Sequence, residues 1–435
     1  MSNTLFNLKE DLKKLSFLVY GLGSTGVSTI NYLNKKNFSN FTAWDDNIKV
    51  RKKFSSIITR NLKKDILKTD YIIISPGISL EKTKFKKELK KFKNKIITDI
   101  DLFFLENKNF KTIVVTGSNG KSTTCKMISH LLKKNKFDVR IGGNIGIPIL
   151  SLKIRKNTFF VIEASSFQLF HSKFIHPSYA VLLNISNDHI DWHGSMKNYI
   201  DSKFKIFRLQ KKKDYALINE KLASVYKKKK YSGKLVLTKF KRFDKIVSKI
   251  DNDYLKSEAN KENLKFTYAL AKKIKIHDLS FIKAMNTFVG LEHRYEIFLK
   301  RKNITFINDS KATSFQAAKN TLKSNKNIYW ILGGIPKFKD KFDLKHLKGK
   351  IIKSYIIGKN TNYFKNQLRN KINFSITKNL SNSIINILKE IKLEKKRHFT
   401  ILLSPCAASF DQFKNFEERG NLFKKLSKKY AKQFI

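Results

Sequence analysis

Apolar positions along the chain come in short runs, each broken by Gly, Ser or Asp before a stretch with helical spacing begins. Such runs predict buried strands, and the amphipathic stretches between them predict crossover helices. This rhythm marks an α/β chain built on parallel sheets. Its first instance is Ser16–Tyr20, a turn at Gly21–Gly26, and a helix to about Lys35. Strands follow at Phe41–Trp44, ending at Asp45, and at Tyr71–Ser75, running into Pro76 and Gly77. A second series opens at Thr112–Thr116 and passes through Gly117–Ser122 into a helix over Thr123–Lys134. It continues with strands at Phe159–Glu163 and Ala180–Asn184. The segment 211–251 is lysine-rich with short strand-like runs, and helical spacing returns over Ala259–Phe288. A third series places strands at Ile304–Asn308, Ile328–Leu332, Ser354–Ile357 and Phe399–Leu403. The restarts divide the chain into 1–98, 99–291 and 292–435, with no repeat of solenoid period.

Composition narrows the class. A chain of 435 residues suits about three domains. Its hydrophobic fraction of 41% is enough for packed cores. No run approaches the ~20 apolar residues of a membrane helix, and the first fifteen residues lack the apolar stretch of a secretory signal. Two cysteines, Cys125 and Cys406, rule out a disulfide framework and fit a reducing, cytoplasmic setting. Lys and Arg number 90 against 34 acids, a net charge of +56. One reading is a polyanion partner; the other is lysine drift in an AT-rich genome. The charge is scattered, and its densest runs, Lys211–Lys213 and Lys227–Lys230, lack interleaved aromatics. The expectation is therefore small anionic substrates, with no nucleic acid and no membrane partner; a monomer is expected separately.

Two loops carry candidate chemistry. Gly21-Leu22-Gly23-Ser24-Thr25-Gly26 fits GxGxxG between strand and helix, with Asp45 ending the next strand. Glycines admit a pyrophosphate to the backbone, and an acid there can accept from a ribose hydroxyl. NAD, another nucleotide diphosphate, or a tight turn without ligand all fit this motif. Gly117-Ser118-Asn119-Gly120-Lys121-Ser122 is more specific. It is two residues shorter than a Walker A loop, yet keeps a backbone nest for phosphate, a lysine for the β- and γ-phosphates and a hydroxyl for Mg²⁺. It points to ATP. Glu163, ending a strand, is placed to serve the metal. His189 and His193 have a spacing that also suits zinc, but no third soft ligand is near in sequence.

These segments resemble the Mur ligases, whose relatives include folylpolyglutamate synthetase. The resemblance rests on TGSNGKST at 116–123, EASSFQLF at 163–170, the Asn184–Asp191 segment, and Tyr199 with Lys203. Further segments, LEHRYE from Leu291, Gly333–Lys337, Asn308–Thr313 and Leu403–Phe423, resemble the branch that adds D-glutamate to UDP-N-acetylmuramoyl-L-alanine. The likeness covers nearly the whole chain and is weakest around 205–255. It implies three domains: a Rossmann-like N-terminal domain, a central P-loop ATPase-like parallel-sheet domain and a C-terminal Rossmann-like domain. It implies ATP-dependent amide formation through an acyl phosphate in peptidoglycan precursor synthesis. Two phosphate loops in separate domains need relative motion to converge, so domain closure on ligand binding is expected.

The resemblance also assigns roles. Gly21, Gly23, Ser24, Thr25, Gly26, Asp45, Ser75, Pro76, Gly77, Asn144 and Ser165 would bind the UDP substrate. Where the family has D-T-R this chain has Asp45-Asp46-Asn47, without the arginine expected over uracil. Gly117, Ser118, Asn119, Gly120, Lys121, Ser122, Thr123, Asn260, Asn263, His293, Arg294 and Asp309 would bind ATP, although the family histidine before Asn260 is Ala259 here. Lys121, His189 and Lys203 would be catalytic, with Ser122, Glu163, His189 and a carbamate on Lys203 holding Mg²⁺. Lys311, Thr313, Lys337, Ser409 and Phe416 would form the D-glutamate pocket, beside departures at Ser314 and Cys406-Ala407-Ala408. The rivals are a sister ligase adding another amino acid, disfavoured by Leu403–Phe423; a basic nucleic-acid-binding ATPase, favoured only by charge; and an NAD-dependent oxidoreductase, favoured only by Gly21–Gly26.

Overall fold

The computed structural model describes residues 12–435 apart from 108, 241, 338–339, 348 and 395–397. Most of the N-terminal stretch read for a signal lies outside the described residues. Three sheets form in sequence order. The first is four parallel strands, ordered β2 (Phe41–Trp44), β1 (Phe17–Tyr20), β3 (Tyr71–Ile74) and β4 (Ile96–Ile97). The second contains β5 (Lys111–Thr116), β6 (Val139–Gly143), β7 (Phe159–Glu163), β8 (Tyr179–Leu182), β9 (Tyr215–Ile218) and β10 (Lys234–Leu237). Its spatial order is β10-β9-β8-β5-β7-β6, all parallel. The third contains β11 (Glu296–Arg301), β12 (Ile304–Asn308), β13 (Ile328–Gly333), β14 (Ile351–Ile357), β15 (Phe374–Lys378) and β16 (Phe399–Leu403). It is ordered β11-β12-β16-β13-β14-β15, and only β11 is antiparallel to its neighbour.

Strand order fixes where ligands can reach. In an open parallel sheet the crevice opens at the carboxyl ends of strands where the winding reverses. In the first sheet the reversal is at β1, flanked by β2 and β3, so the loop after Tyr20 faces the crevice. In the second it is at β5, flanked by β7 and β8, which selects the loop after Thr116. In the third, β16 lies between β12 and β13 and brings the loops after Asn308, Gly333 and Leu403 side by side.

The central strands are apolar on both faces, as helices on both sides of a parallel sheet require. Residues Phe159 to Glu163 are all buried, and so are Ile328 to Gly333. In the third sheet Trp330, Leu332 and Leu402 pack on one side, while Tyr329, Ile331 and Leu403 pack on the other. One compact unit ends at Ile250 and takes in Asn263–Met285; the other comprises Asp251–Glu262 and Asn286–Ile435. Within the first unit, helix Asp99–Glu106 joins the cores of the first two sheets. Thr98 caps it, and Asp101 accepts from the backbone N–H groups of Lys173 (2.9 Å) and Phe174 (2.8 Å).

Four strands escape the sequence pattern. β4 is only two residues long, β6 reads VRIGG, β11 begins and ends on charge, and β15 is a half-exposed edge. None has the buried apolar run that identifies a central strand. The helical stretch 259–288 divides into Glu258–Lys273 and Asp278–Asn286.

Candidate active site

The loop after β5 bends as its glycines dictate. Gly117 has φ 157° and Gly120 has φ 83°, the latter a left-handed conformation that disfavours any side chain. A Cβ on Gly120 would lie 2.2 Å from Asn263 Oδ1. The loop is held from behind: Ser118 N donates to Asn184 O (2.9 Å) and Asn119 N to Asn184 Oδ1 (2.9 Å). Ser118 Oγ pairs with Tyr199 Oη at 2.8 Å and accepts from Ser186 N at 2.9 Å. Helix Lys121–Lys134 then starts without a side-chain cap. Its first-turn N–H groups and its dipole favour an anion there. Lys121 Nζ donates to Gly117 O and Ser118 O, both at 2.8 Å, so the ammonium stands over the loop. Ser122 and Thr123 are buried beside it.

Around this loop the structure gathers Glu163 and Lys203. Glu163 is 2% exposed; its Oε1 accepts from Asn144 Nδ2 at 2.8 Å, whereas buried Oε2 has no hydrogen-bond partner. Lys203, in helix Met196–Phe204, is 1% exposed. Its Nζ donates to Gly117 O (2.8 Å) and lies 4.6 Å from the Tyr199 ring centroid. Burial, reinforced by the charge of Lys121, drives the Lys203 amine well below its usual range. His189 adopts φ 54° beside Asp188, with Nε2 3.4 Å from Asp188 Oδ2. His193 is buried, its Nε2 3.0 Å from Ser166 Oγ, and burial holds it down to about 4. The oxygen donors Glu163 and Ser122 suit a hard cation, and the orphaned Oε2 is the kind of atom such an ion satisfies. The residues present therefore fit Mg²⁺.

The loop after β1 is equally constrained. Gly21 has φ 95°, and a Cβ on Gly26 would sit 1.9 Å from Gly21 O. Ser75 Oγ donates to Gly21 O at 2.7 Å. Asp45 accepts from Leu22 N (2.7 Å) and Asn47 N (2.8 Å), tying the β1 and β2 loops together. Asn47 caps the helix that follows. Arg51, which the sequence reading passed over, lays its guanidinium 4.0 Å from the Trp44 ring centroid and donates to Asp45 O at 2.9 Å. Only the turn of the Ile48–Arg51 helix brings it back to the strand end. Gly23 and Gly77 have open space around them. Ser165 caps helix Ser166–His171 in a reciprocal pair with Gln168.

In the second unit, His293 is buried at φ 61°, and its Nδ1 accepts from Asn308 Nδ2 at 2.9 Å. A side chain at Gly420 would press on His293, with Cβ 2.2 Å from Nδ1. Asp309 is buried; Thr321 Oγ1 and Ser404 Oγ each donate to Oδ2 (2.9 Å) and Tyr295 N to Oδ1 (3.1 Å). Burial pushes its carboxyl up to about 6. Lys311 Nζ stands 3.6 Å from the Phe416 ring centroid, and Ser409 is buried nearby in sequence. Arg294 and Thr313 are half-buried and Lys337 exposed. Asn260 donates to Tyr254 O at 2.8 Å.

This combination defines an α/β protein with a phosphate loop, a metal-ready carboxylate and a buried amine. A family model described as the Mur ligase middle domain matches residues 115–288, and one described as the MurD-like N-terminal domain of Mur ligases matches residues 15–97. The UDP-N-acetylmuramoylalanine–D-glutamate ligase of Rickettsia bellii (strain RML369-C) is 36% identical, covering 95% of this chain and 97% of its own length. The protein of the same name from Rickettsia prowazekii (strain Madrid E) is 38% identical over 96% of this chain and 99% of its own length. Among solved structures, the MurF ligase of Thermotoga maritima in complex with ADP aligns at a TM-score of 0.58 and 15% identity, covering 97% of this chain and all (100%) of that one. The UDP-N-acetylmuramate-alanine ligase MurC of Thermotoga maritima aligns at 0.56 and 15% identity, covering 96% and 100%; these two show the fold. The chain belongs to the Mur ligase family.

Proposed function

We propose that this protein joins D-glutamate to UDP-N-acetylmuramoyl-L-alanine, consuming ATP and releasing ADP and phosphate, in peptidoglycan precursor synthesis. The observation that carries the reading is the buried pairing of Lys203 with the carbonyl of the phosphate loop, beside Lys121 and the orphaned Glu163 oxygen. A carboxylate is a poor electrophile. Transfer of the ATP γ-phosphoryl to a substrate carboxylate oxygen gives an acyl phosphate and ADP. The D-glutamate amine then attacks the acyl carbon, phosphate leaves with the C–O bond pair, and the ammonium proton is lost to solvent. The protein's part is alignment and charge neutralisation.

Lys121 would stay with the phosphates as they move, exchanging its two carbonyl contacts for charge-assisted bonds. Mg²⁺, held by Ser122, Glu163, His189 and a carbamate on Lys203, would supply charge neutralisation at the phosphates. The depressed basicity of Lys203 supports the carbamate, because only a neutral amine takes up CO₂. Gly21–Gly26, Asp45 and Ser75–Gly77 would receive the UDP portion, Asn144 and Ser165 the muramoyl-alanine portion, and Arg51 on Trp44 would offer the base a flat cationic face. Asn260, Asn263, His293, Arg294 and Asp309 would serve the nucleotide. Lys311, Thr313, Lys337, Ser409 and Phe416 would hold D-glutamate, whose two carboxylates need cations and N–H or hydroxyl donors. Residues 1–98, 99–291 and 292–435 would be the working domains. Among the described residues no helix is long and apolar enough to cross a membrane, and we place the reaction in the cytoplasm, carried out by a monomer.

The test is phosphate release from ATP by the full chain. Release should require D-glutamate and UDP-N-acetylmuramoyl-L-alanine together. Release sustained by L-alanine or a diamino acid would assign a sister activity. Release driven by RNA or DNA, falling steeply with salt, would overturn the reading.

A further inference from the structure

Arg419 lies in the first turn of helix Phe416–Phe434 and is 1% exposed. Its Nε donates to Ser310 Oγ (3.0 Å), its Nη2 to Ser310 O (2.8 Å) and Ala407 O (3.0 Å), and its Nη1 to Gly333 O (3.4 Å). Every acceptor is neutral, and no described carboxylate forms an ion pair with it. This is a costly arrangement. Burial holds the guanidinium down to about 10 even though the charge of Asp411 favours it, so desolvation outweighs that compensation. The first turn of a helix is also its electropositive end, where acids are favoured and cations are not.

The three residues that accept identify what the arrangement serves. Ser310 follows β12, Gly333 ends β13, and Ala407 follows β16. These are the adjoining strand ends that the third sheet's order brings together. The loops leaving them carry Lys311, Lys337 and Ser409. Two further links close the array: Ser310 Oγ donates to Phe416 O at 2.8 Å, and Ile335 N donates to Ala408 O at 2.8 Å. A planar guanidinium can bridge three loops at fixed angles; an ammonium cannot.

We infer that Arg419 is a positioning residue for the amino-acid substrate. It clamps the loops after β12, β13 and β16 so that Lys311 and Ser409 meet the substrate at a fixed spacing. The inference rests on the D-glutamate reading above, and D-glutamate-dependent phosphate release by the unaltered protein checks that reading separately.

The experiment compares Arg419→Lys, Arg419→Met and Ser310→Ala in the full chain. KM is measured for each of the three substrates, and ADP binding is followed calorimetrically. Arg419→Lys keeps the charge but loses the fork, so KM for D-glutamate should rise about tenfold while KM for ATP stays near that of the unaltered protein. Arg419→Met loses both, and the rise should reach about a hundredfold or more. Ser310→Ala removes one acceptor and should raise KM for D-glutamate severalfold. If Arg419→Met does not fold, the other two variants carry the test. An unchanged KM for D-glutamate in Arg419→Lys and Ser310→Ala overturns the inference. So does a fall in kcat, or a loss of ATP affinity, as large as the rise in that KM, because a purely structural role predicts those.

Discussion

Replacing Lys203 with methionine should stabilise the first unit while abolishing turnover. The amine is 1% exposed and donates a single hydrogen bond, to Gly117 O. That carbonyl also accepts from Lys121 Nζ at 2.8 Å, so it is not orphaned when the amine goes. The loss is one hydrogen bond, about 1 kcal/mol. The gain is relief from burying a polar or charged head group, several kcal/mol at most, with side-chain volume nearly conserved. The balance favours the variant by about 1–3 kcal/mol at pH 7, or roughly 3–8 °C in Tm for a unit of this size. Its pH dependence has a definite sign. The folded amine is less basic than the unfolded one, so between the two values the unfolded chain binds an extra proton. Stability of the unaltered protein therefore falls, relative to the variant, by up to ~1.4 kcal/mol per unit as pH drops through that window. The assay is thermal unfolding in CO₂-free buffer at pH 7 and 9, then with added bicarbonate. Bicarbonate should stabilise the unaltered protein, by mass action on a carbamate, and leave Lys203→Met unmoved. A variant that is less stable at pH 7 by 1 kcal/mol or more would refute the energetic reasoning, and near-normal turnover would refute the assignment of Lys203.

Gly120→Ala should weaken ADP binding about tenfold or more and cost about 1–3 kcal/mol, since the new Cβ meets Asn263 Oδ1 at a left-handed φ; calorimetric binding and unfolding check both. Asp309 holds its proton up to about 6 in the folded state, against about 3.9 unfolded. Its contribution to stability is thus greatest in acid and declines as pH rises from about 4 to about 6. Asp309→Asn should remove that decline, and parallel pH–stability curves for the two proteins would contradict it. Arg51→Ala should raise KM for the UDP substrate by roughly 5–30-fold, the worth of a stacked guanidinium, with KM for D-glutamate unchanged; equal changes in both would remove Arg51 from the uridine site.

Much of this was legible in the sequence. The buried runs FLVY, TIVVT and FFVIE identify β1, β5 and β7 because a strand covered on both faces must be apolar throughout. The phosphate loop could be read because its geometry depends on residue types at fixed local spacing: Gly117 and Gly120 for the turn, Lys121 and Ser122 at the helix start. Strands β6, β11 and β15 were hidden because an edge or glycine-bearing strand leaves no uninterrupted apolar run.

Local spacing also could not supply what depends on strand order and burial. The chain contains dozens of lysines, and only its spacing from Tyr199 in the family resemblance sets Lys203 apart; that it is desolvated follows from the packing of helix Met196–Phe204 under the phosphate loop. Arg51 reaches Asp45 and Trp44 only through a turn of helix. Arg419 acquires its partners because β16 lies between β12 and β13, which brings the loops holding Ser310, Gly333 and Ala407 within reach of one guanidinium although they are remote in sequence. The sequence by itself determined the α/β class, the phosphate loop and the family. Tertiary structure alone decided which charged groups are desolvated and which loops share a neighbour, because both depend on packing between segments remote along the chain.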